Sequence, residues 1–321
     1  MMKKEDLRIV FMGTPEFAVE TLRALTDNGY NVVAVVTQPD KPVGRHGSVL
    51  QPSAVKQYAL EHGLPVLQPE KMKDPAFVDE LRSYAANLQV VVAFRMLPEV
   101  VWAMPEYGTF NVHAALLPQY RGAAPINWAV INGETMTGVT TFFLDHDIDT
   151  GRIIKQLPFP IPDTADVEYV YDGLMHLGAD ICLQTLEAIV AADGHPASIA
   201  QEATDELKLA PKIFKETCEV DWHQTAKRLY DFVRGLSPYP GAWTTLVGSD
   251  GRETVLKLFR TTKTDLAATE PGRITTDRKH LYISAADCQL QIDELQLAGK
   301  KRMDAAAFLN GMKEIEKYFA R

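Results

Sequence analysis

An amide, an imidazole and a carboxylate in this sequence have the types and spacing to move an acyl group: Asn111, His113 and one of Asp147 and Asp149. Asn111 and His113 stand two apart in the run Asn111-Val112-His113-Ala114-Ala115-Leu116-Leu117-Pro118, at the end of an apolar stretch. On a strand, residues two apart share a face, roughly 6.6 Å from one another along the backbone, so an amide and an imidazole project together. Asp147 and Asp149 lie in the turn Asp145-His146-Asp147-Ile148-Asp149-Thr150-Gly151, after the strand-like run Val139 to Leu144. A carboxylate there can reach an imidazole on a neighbouring strand. An amide that donates to a developing oxyanion, beside an imidazole and a carboxylate, is a donor set for acyl transfer.

The surrounding pattern supplies strands to hold these groups. Leu7 to Met12 reads as a buried strand, Gly13-Thr14-Pro15 as a turn, and Glu16 to Asn28 as a helix with apolar positions at Phe17, Val19, Leu22 and Leu25. Val32 to Val36, Val66-Leu67, Leu88 to Phe94 and Thr109 to Val112 are further strands, with a helix opening at Pro52-Ser53 and ending near Gly63. Continuously apolar strands separated by helices predict an α/β fold with a Rossmann-like, largely parallel sheet, whose ligand site lies beyond the carboxyl ends of the strands. A hairpin from Val139 to Leu157 and a long helix from Val167 to Ala192 complete this part.

The segment Asp193 to Pro211 mixes Gly, Pro, Ser and charge without periodicity and reads as a linker, which divides a catalytic domain, 1–208, from a second domain, 209–321. After a short helix around Ala226 to Arg234, the alternating runs at Trp243 to Val247, Leu256 to Leu258, Leu281 to Ile283 and Leu290 to Ile292, with turns at Gly248, Gly251 and Gly272, predict a small, OB-like β-barrel.

Composition sets the bounds. A chain of 321 residues with 46% apolar content buries a sizeable core and exceeds the usual single-domain size. No apolar run approaches the roughly 18 residues of a membrane span, and the N-terminus enters a strand too soon for a signal peptide, so a cytoplasmic protein without membrane contact is expected. Cys182, Cys218 and Cys288 are odd in number and widely spaced, which argues against a disulfide framework and a structural zinc site. Asp145, Asp147 and Asp149 lack the glycine and terminal glutamate of a calcium loop, and no metal is expected. The net charge of −9 is uneven: residues 1–208 carry 15 Lys+Arg against 27 Asp+Glu, whereas 209–321 carry 18 against 15. The second segment is the better candidate for phosphate contacts.

The order Asn-x-His-x-x-Leu-Leu-Pro, Arg121-Gly122-Ala123-Ala124-Pro125 and Asp147-Ile148-Asp149-Thr150-Gly151 resembles the folate-dependent formyltransferases. The likeness runs from Gly13-Thr14-Pro15-Glu16-Phe17 through Thr37-Gln38-Pro39-Asp40-Lys41-Pro42 and Gly44-Arg45 to Ala298-Gly299-Lys300-Lys301, which covers nearly the whole chain and points to the branch acting on tRNA. The resemblance implies transfer of a formyl group from 10-formyltetrahydrofolate, as co-substrate, to the α-amino group of methionyl initiator tRNA, by a monomer. It implies Asn111, His113 and Asp149 as catalytic, and Ala115, Leu116, Leu117, Pro118, Phe94, Arg95 and Asp147 beside the folate. It also implies that the loop carrying Arg45 enters the acceptor stem, with Lys300, Lys301 and Arg302 adding tRNA contacts.

Departures from the family pattern cluster near the folate. Ala115 stands where serine is common, Phe94-Arg95-Met96 where Tyr-Gly-Leu is usual, and Asp147 replaces a common glycine, while His46-Gly47-Ser48 follow Arg45 where relatives often carry lysines. Rival readings are a formyltransferase for a sugar nucleotide or glycinamide ribonucleotide, and, from a different class, a nucleotide-binding module or dehydrogenase on the same α/β scaffold. The latter is disfavoured because Gly13-Thr14-Pro15 lacks the second and third glycines of a pyrophosphate loop.

Overall fold

The computed structural model describes residues 1–43, 49–202, 204 and 206–321. They form two compact units, one of Met1–Gly122, Met136–Pro160 and Tyr171–Leu209, the other of Ala123–Thr135, Ile161–Val170 and Ala210–Arg321.

The first unit is built on a seven-stranded sheet in the order Ile153–Pro160, Met136–Phe143, Thr109–His113, Leu88–Val92, Arg8–Gly13, Asn31–Val36, Val66–Leu67. The five strands from Thr109–His113 onward run parallel, and the first two pairings, of Met136–Phe143 with each of its neighbours, are antiparallel. Leu7, Ile9, Val10, Phe11, Leu88, Val90, Val92 and Phe110 are all buried, so the central strands have no solvent face, as continuously apolar runs require. Gly13 ends the first strand because a Cβ there would lie 2.7 Å from the Cβ of Ala18 in the helix Glu16–Asp27. Its role is close strand-to-helix packing.

The helix Val167–Ala191 is long and apolar enough to cross a membrane by length and composition. It buries Leu174, Ile181, Cys182, Leu186 and Ile189 while exposing Asp172, His176, Asp180 and Glu187, the pattern of a core helix with one wet face.

The second unit centres on an antiparallel sheet, Ile274–Thr276, Leu281–Ser284, Cys288–Leu297, Glu253–Ala267, Ala242–Gly248, Tyr318–Ala320, with Met303–Asp304 paired to Cys288–Leu297. Its two end strands meet through an Arg273–Phe319 bridge and a bond from Ala320 N–H to Gly272 O of 2.9 Å, which nearly closes a barrel. The strand at Leu256 proves much longer than its apolar core suggests, reaching Ala267. Its polar half, Arg260 to Asp265, stays extended because Cys288–Leu297 pairs with it across several register shifts, a non-local cause without local signal.

The helices Pro125–Ile131 and Ala226–Leu236 also belong to this unit. A Cβ on Gly235 would lie 2.8 Å from Ile131 N, so glycine permits the close approach, and Arg228 caps the first helix by donating to Ile131 O at 2.7 Å. Residues Ile161–Val170 are held by Arg234, which donates to Ala165 O at 2.8 Å, and by Tyr230, whose hydroxyl donates to Asp163 O at 2.9 Å. Lys263 donates to Asp163 Oδ2 at 2.6 Å and holds that carboxyl below its usual range.

At the barrel surface Arg302 donates to both carboxylate oxygens of Glu294, at 2.6 and 2.8 Å, and lies 4.2 Å from the Phe259 ring centroid. The bonded guanidinium pushes the Glu294 carboxyl below the ordinary glutamate range. A carboxyl lowered in the folded state contributes stability above the unfolded value and loses it as pH falls through the folded one. Glu294→Gln is therefore expected to cost under about 1 kcal/mol at neutral pH, since the pair is partly exposed, and the gap to wild type should close in acid. Urea unfolding at neutral and acid pH measures both; a gap that widens on acidification contradicts the assignment.

Candidate active site

The amide and the imidazole leave the same strand, Thr109–His113, as their spacing predicts. His113 is 6% exposed, flanked by Thr140 on the adjacent antiparallel strand and edge-on to Phe142. Its Nε2 lies 2.9 Å from Tyr120 O. A carbonyl only accepts, so Nε2 carries the hydrogen, and the other ring nitrogen is the one open to proton traffic. That nitrogen, Nδ1, faces Asp149 Oδ2 at 3.9 Å, beyond a direct hydrogen bond. Asn111 Oδ1 is buried and accepts no hydrogen bond among the described residues. An orphaned amide oxygen on the strand that carries this imidazole is a place for a hydrogen-bond donor of a ligand.

The turn that presents Asp149 is organised by residues outside the expected set. Asp145 Oδ1 accepts from Thr150 Oγ1 at 2.8 Å and from Asp147 N–H at 3.2 Å, and Thr150 Oγ1 also donates to Asp147 O. Asp149 itself has φ of 57°, in the left-handed region, and Oδ2 accepts from Gly122 N–H at 2.9 Å. Tyr120, whose carbonyl receives His113, is left-handed too, with φ of 59°. Two non-glycine residues in that region on one site mark a backbone held by its surroundings. Gly151 allows the chain to turn back, since a Cβ there would sit 1.6 Å from Phe143 O.

The residues expected beside the folate have surroundings of several kinds. Ala115 is fully buried and its carbonyl accepts from Thr140 Oγ1 at 2.6 Å; Leu117 N–H donates to Thr140 Oγ1 at 3.1 Å. Gln156 Nε2 donates to Leu117 O at 2.8 Å, so the stretch from Ala115 to Leu117, leading into Pro118, is pinned through its backbone and needs no hydroxyl at 115. Leu116 packs over Gly138, where a Cβ would approach it to 2.6 Å. Phe94 packs on the apolar cluster around Val91, Leu97 and Val101. Arg95 donates to Glu70 O at 2.8 Å and to Pro69 O, and burial lowers its pKa. It ties the 69–70 backbone in place instead of reaching solvent. Asp147 is exposed.

Of the basic residues, Lys300 and Lys301 are exposed, whereas Arg302 is engaged by Glu294. Arg45 lies outside the described residues.

The chain matches the formyl transferase family over residues 7–186 and the formyl transferase C-terminal domain over 212–313. It is 62% identical to a protein of Parabacteroides distasonis named methionyl-tRNA formyltransferase, across 99% of both chains, and 48% identical to one of that name from Porphyromonas gingivalis, across 97% of both. Among solved structures it resembles HypX from Aquifex aeolicus in complex with tetrahydrofolic acid, with a TM-score of 0.63 at 20% identity, covering 96% of this chain and 48% of HypX. It likewise resembles WlaRD, a sugar 3N-formyl transferase, with a TM-score of 0.64 at 18% identity, covering 92% of this chain and 99% of that one. These likenesses show the fold. The chain spans about half of HypX but the full length of its closer relatives in sequence. With both family domains matched in order and near-complete identity coverage, the chain belongs to the formyl transferase family, in its methionyl-tRNA formyltransferase branch.

Proposed function

We propose that the chain transfers the formyl group of 10-formyltetrahydrofolate to the α-amino group of methionyl initiator tRNA, with Asn111, His113 and Asp149 as its catalytic residues. The observation that carries this reading is the Asn111 side chain, with a buried Oδ1 that has no hydrogen-bond partner among the described residues, on the same strand as His113 of the His113–Asp149 pair, in a chain that aligns end to end with proteins named for that reaction. When bound, the folate co-substrate supplies the formyl group; Phe94 and Leu116 would flank it. An α-amino group has a reference pKa of about 7.7–8.0, so the attacking nitrogen needs little activation near neutral pH. The harder task is charge that develops on the formyl oxygen. The Asn111 Nδ2 would donate to that oxygen, and Asp149, anchored by Gly122 N–H, takes the proton from the attacking nitrogen. His113 is held by Tyr120 at Nε2 and turns Nδ1 toward that carboxylate, sharing the proton on its way to the leaving folate nitrogen.

Residues 1–208 form the catalytic part in this reading, and 209–321, with the positive charge balance, supply phosphate contacts. Arg302 is already neutralised by Glu294, so exposed Lys300 and Lys301 contribute most of what the cluster offers. Removing one cation from a phosphate is expected to reduce the log–log salt slope of tRNA binding by about 0.7–0.9. A Lys300/Lys301 double alanine variant should show about twice that reduction, and Arg302→Ala should leave the slope nearly unchanged; a larger change from Arg302→Ala contradicts this division. Arg45→Ala should lower kcat/KM for methionyl-tRNA and spare folate binding. The substrate is tested by offering wild-type protein and 10-formyltetrahydrofolate either methionyl initiator tRNA or a dTDP-amino sugar. Formylation of the tRNA alone supports the reading, and formylation of the sugar alone replaces it.

A further inference from the structure

Gln201 sits in the segment whose composition reads as linker, yet it bonds directly to the turn that presents Asp149. Its Nε2 donates to Asp149 O at 2.8 Å and to Gly151 O at 2.9 Å, so both amide hydrogens meet carbonyls of that turn. Its Oε1 accepts from Arg121 Nε at 3.2 Å and Nη2 at 2.6 Å. Arginine has no acceptor, so the atom facing it must be the amide oxygen, and the nitrogen is thereby directed at the turn. Ile199, two residues earlier, exchanges backbone bonds of 2.8 and 2.9 Å with Ile153 and fixes where Gln201 begins.

These bonds close a ring. Arg121 orients Gln201, Gln201 holds the Asp149 backbone, Asp149 Oδ2 accepts from Gly122 N–H, and Gly122 is the residue after Arg121. Asp149 is left-handed and so costs free energy unless its surroundings hold it. We infer that Gln201, oriented by Arg121, is a positioning residue for formyl transfer: it sets the backbone of Asp149 so that the carboxylate meets both Gly122 N–H and His113. This rests on the catalytic reading of Asp149.

Two variants test it. Gln201→Met keeps length and removes all donors, and Gln201→Glu keeps the acceptor for Arg121 but turns a carboxylate oxygen on two carbonyls. In single-turnover formylation both are expected to lose about 10-fold or more in kcat, with KM for folate and tRNA within about two-fold. In an Asp149→Asn background the same substitutions should add almost nothing, because the effect acts through Asp149. A merely structural role would lower both backgrounds equally, and that result overturns the inference. Amide hydrogen exchange at Gly122 gives a readout independent of activity: it should quicken about 10-fold in both variants, and unchanged protection also overturns the inference. If the wild-type chain formylated no tRNA, the proposed function would fall while Gly122 exchange still decided the tether.

Discussion

Asp149→Asn is expected to lower the single-turnover rate of formyl transfer by about 10²–10³ while folate affinity stays close to wild type. The substitution preserves shape and an oxygen for Gly122 N–H, so the turn built by Asp145 and Thr150 should persist. What disappears is the carboxylate charge facing His113 Nδ1 and, in the role proposed for Asp149, the base for the attacking amine. Both matter to charge that arises in the transition state, so kcat falls and ground-state binding does not. His113→Ala should behave alike, because Nδ1 is the ring nitrogen that Tyr120 leaves open. Near-normal turnover in rapid-quench assays of Asp149→Asn would remove Asp149 from the chemistry.

The second large effect concerns stability. Asp231 and Arg234 are both buried, at 4% and 7% exposure; Asp231 Oδ1 accepts from Arg234 Nε at 2.8 Å and Oδ2 from Lys227 Nζ at 2.6 Å. Removing one member of such a pair leaves the other charge in a poorly solvated place, which typically costs about 3–5 kcal/mol. Asp231→Ala is expected to destabilise the second unit by that amount. Arg234 would then keep only neutral carbonyl partners among its described bonds, at Pro162 and Ala165. Urea unfolding monitored by Trp222 and Trp243 fluorescence measures the loss. A cost under about 1 kcal/mol would mean that water reaches the pair.

The sequence revealed most where the cause is local. The apolar strands and the two-residue spacing of Asn111 and His113 depend on backbone period alone, and the structure has them on one parallel-sheet strand. Ser53, where the sequence places a helix start, caps that helix by accepting from Lys56 N–H, a local signal of the same kind. Where the cause is distant, the signal is missing. Arg95 is fixed by carbonyls at 69 and 70, and Gln201 by carbonyls at 149 and 151. A main-chain acceptor looks the same whatever residue carries it, so neither partnership has a residue-type signature. Likewise Ala123–Thr135 and Ile161–Val170 cluster with the second unit through bonds such as Arg228 to Ile131 O and Arg234 to Ala165 O, across about a hundred and about seventy residues of chain.

Asn111, His113 and Asp149 are proposed to act together on a formyl group bound for a tRNA-borne amine. The decisive measurement is the single-turnover rate of N-formylmethionyl-tRNA formation for wild type, each single variant (Asn111→Ala, His113→Ala, Asp149→Asn) and the triple. Residues that act as a unit give grossly non-additive losses. Rapid product is expected from wild type, with deep losses in each single variant and a triple variant little worse than the worst single. Product from the triple at near wild-type rate, or losses that multiply as for three independent sites, would refute joint action.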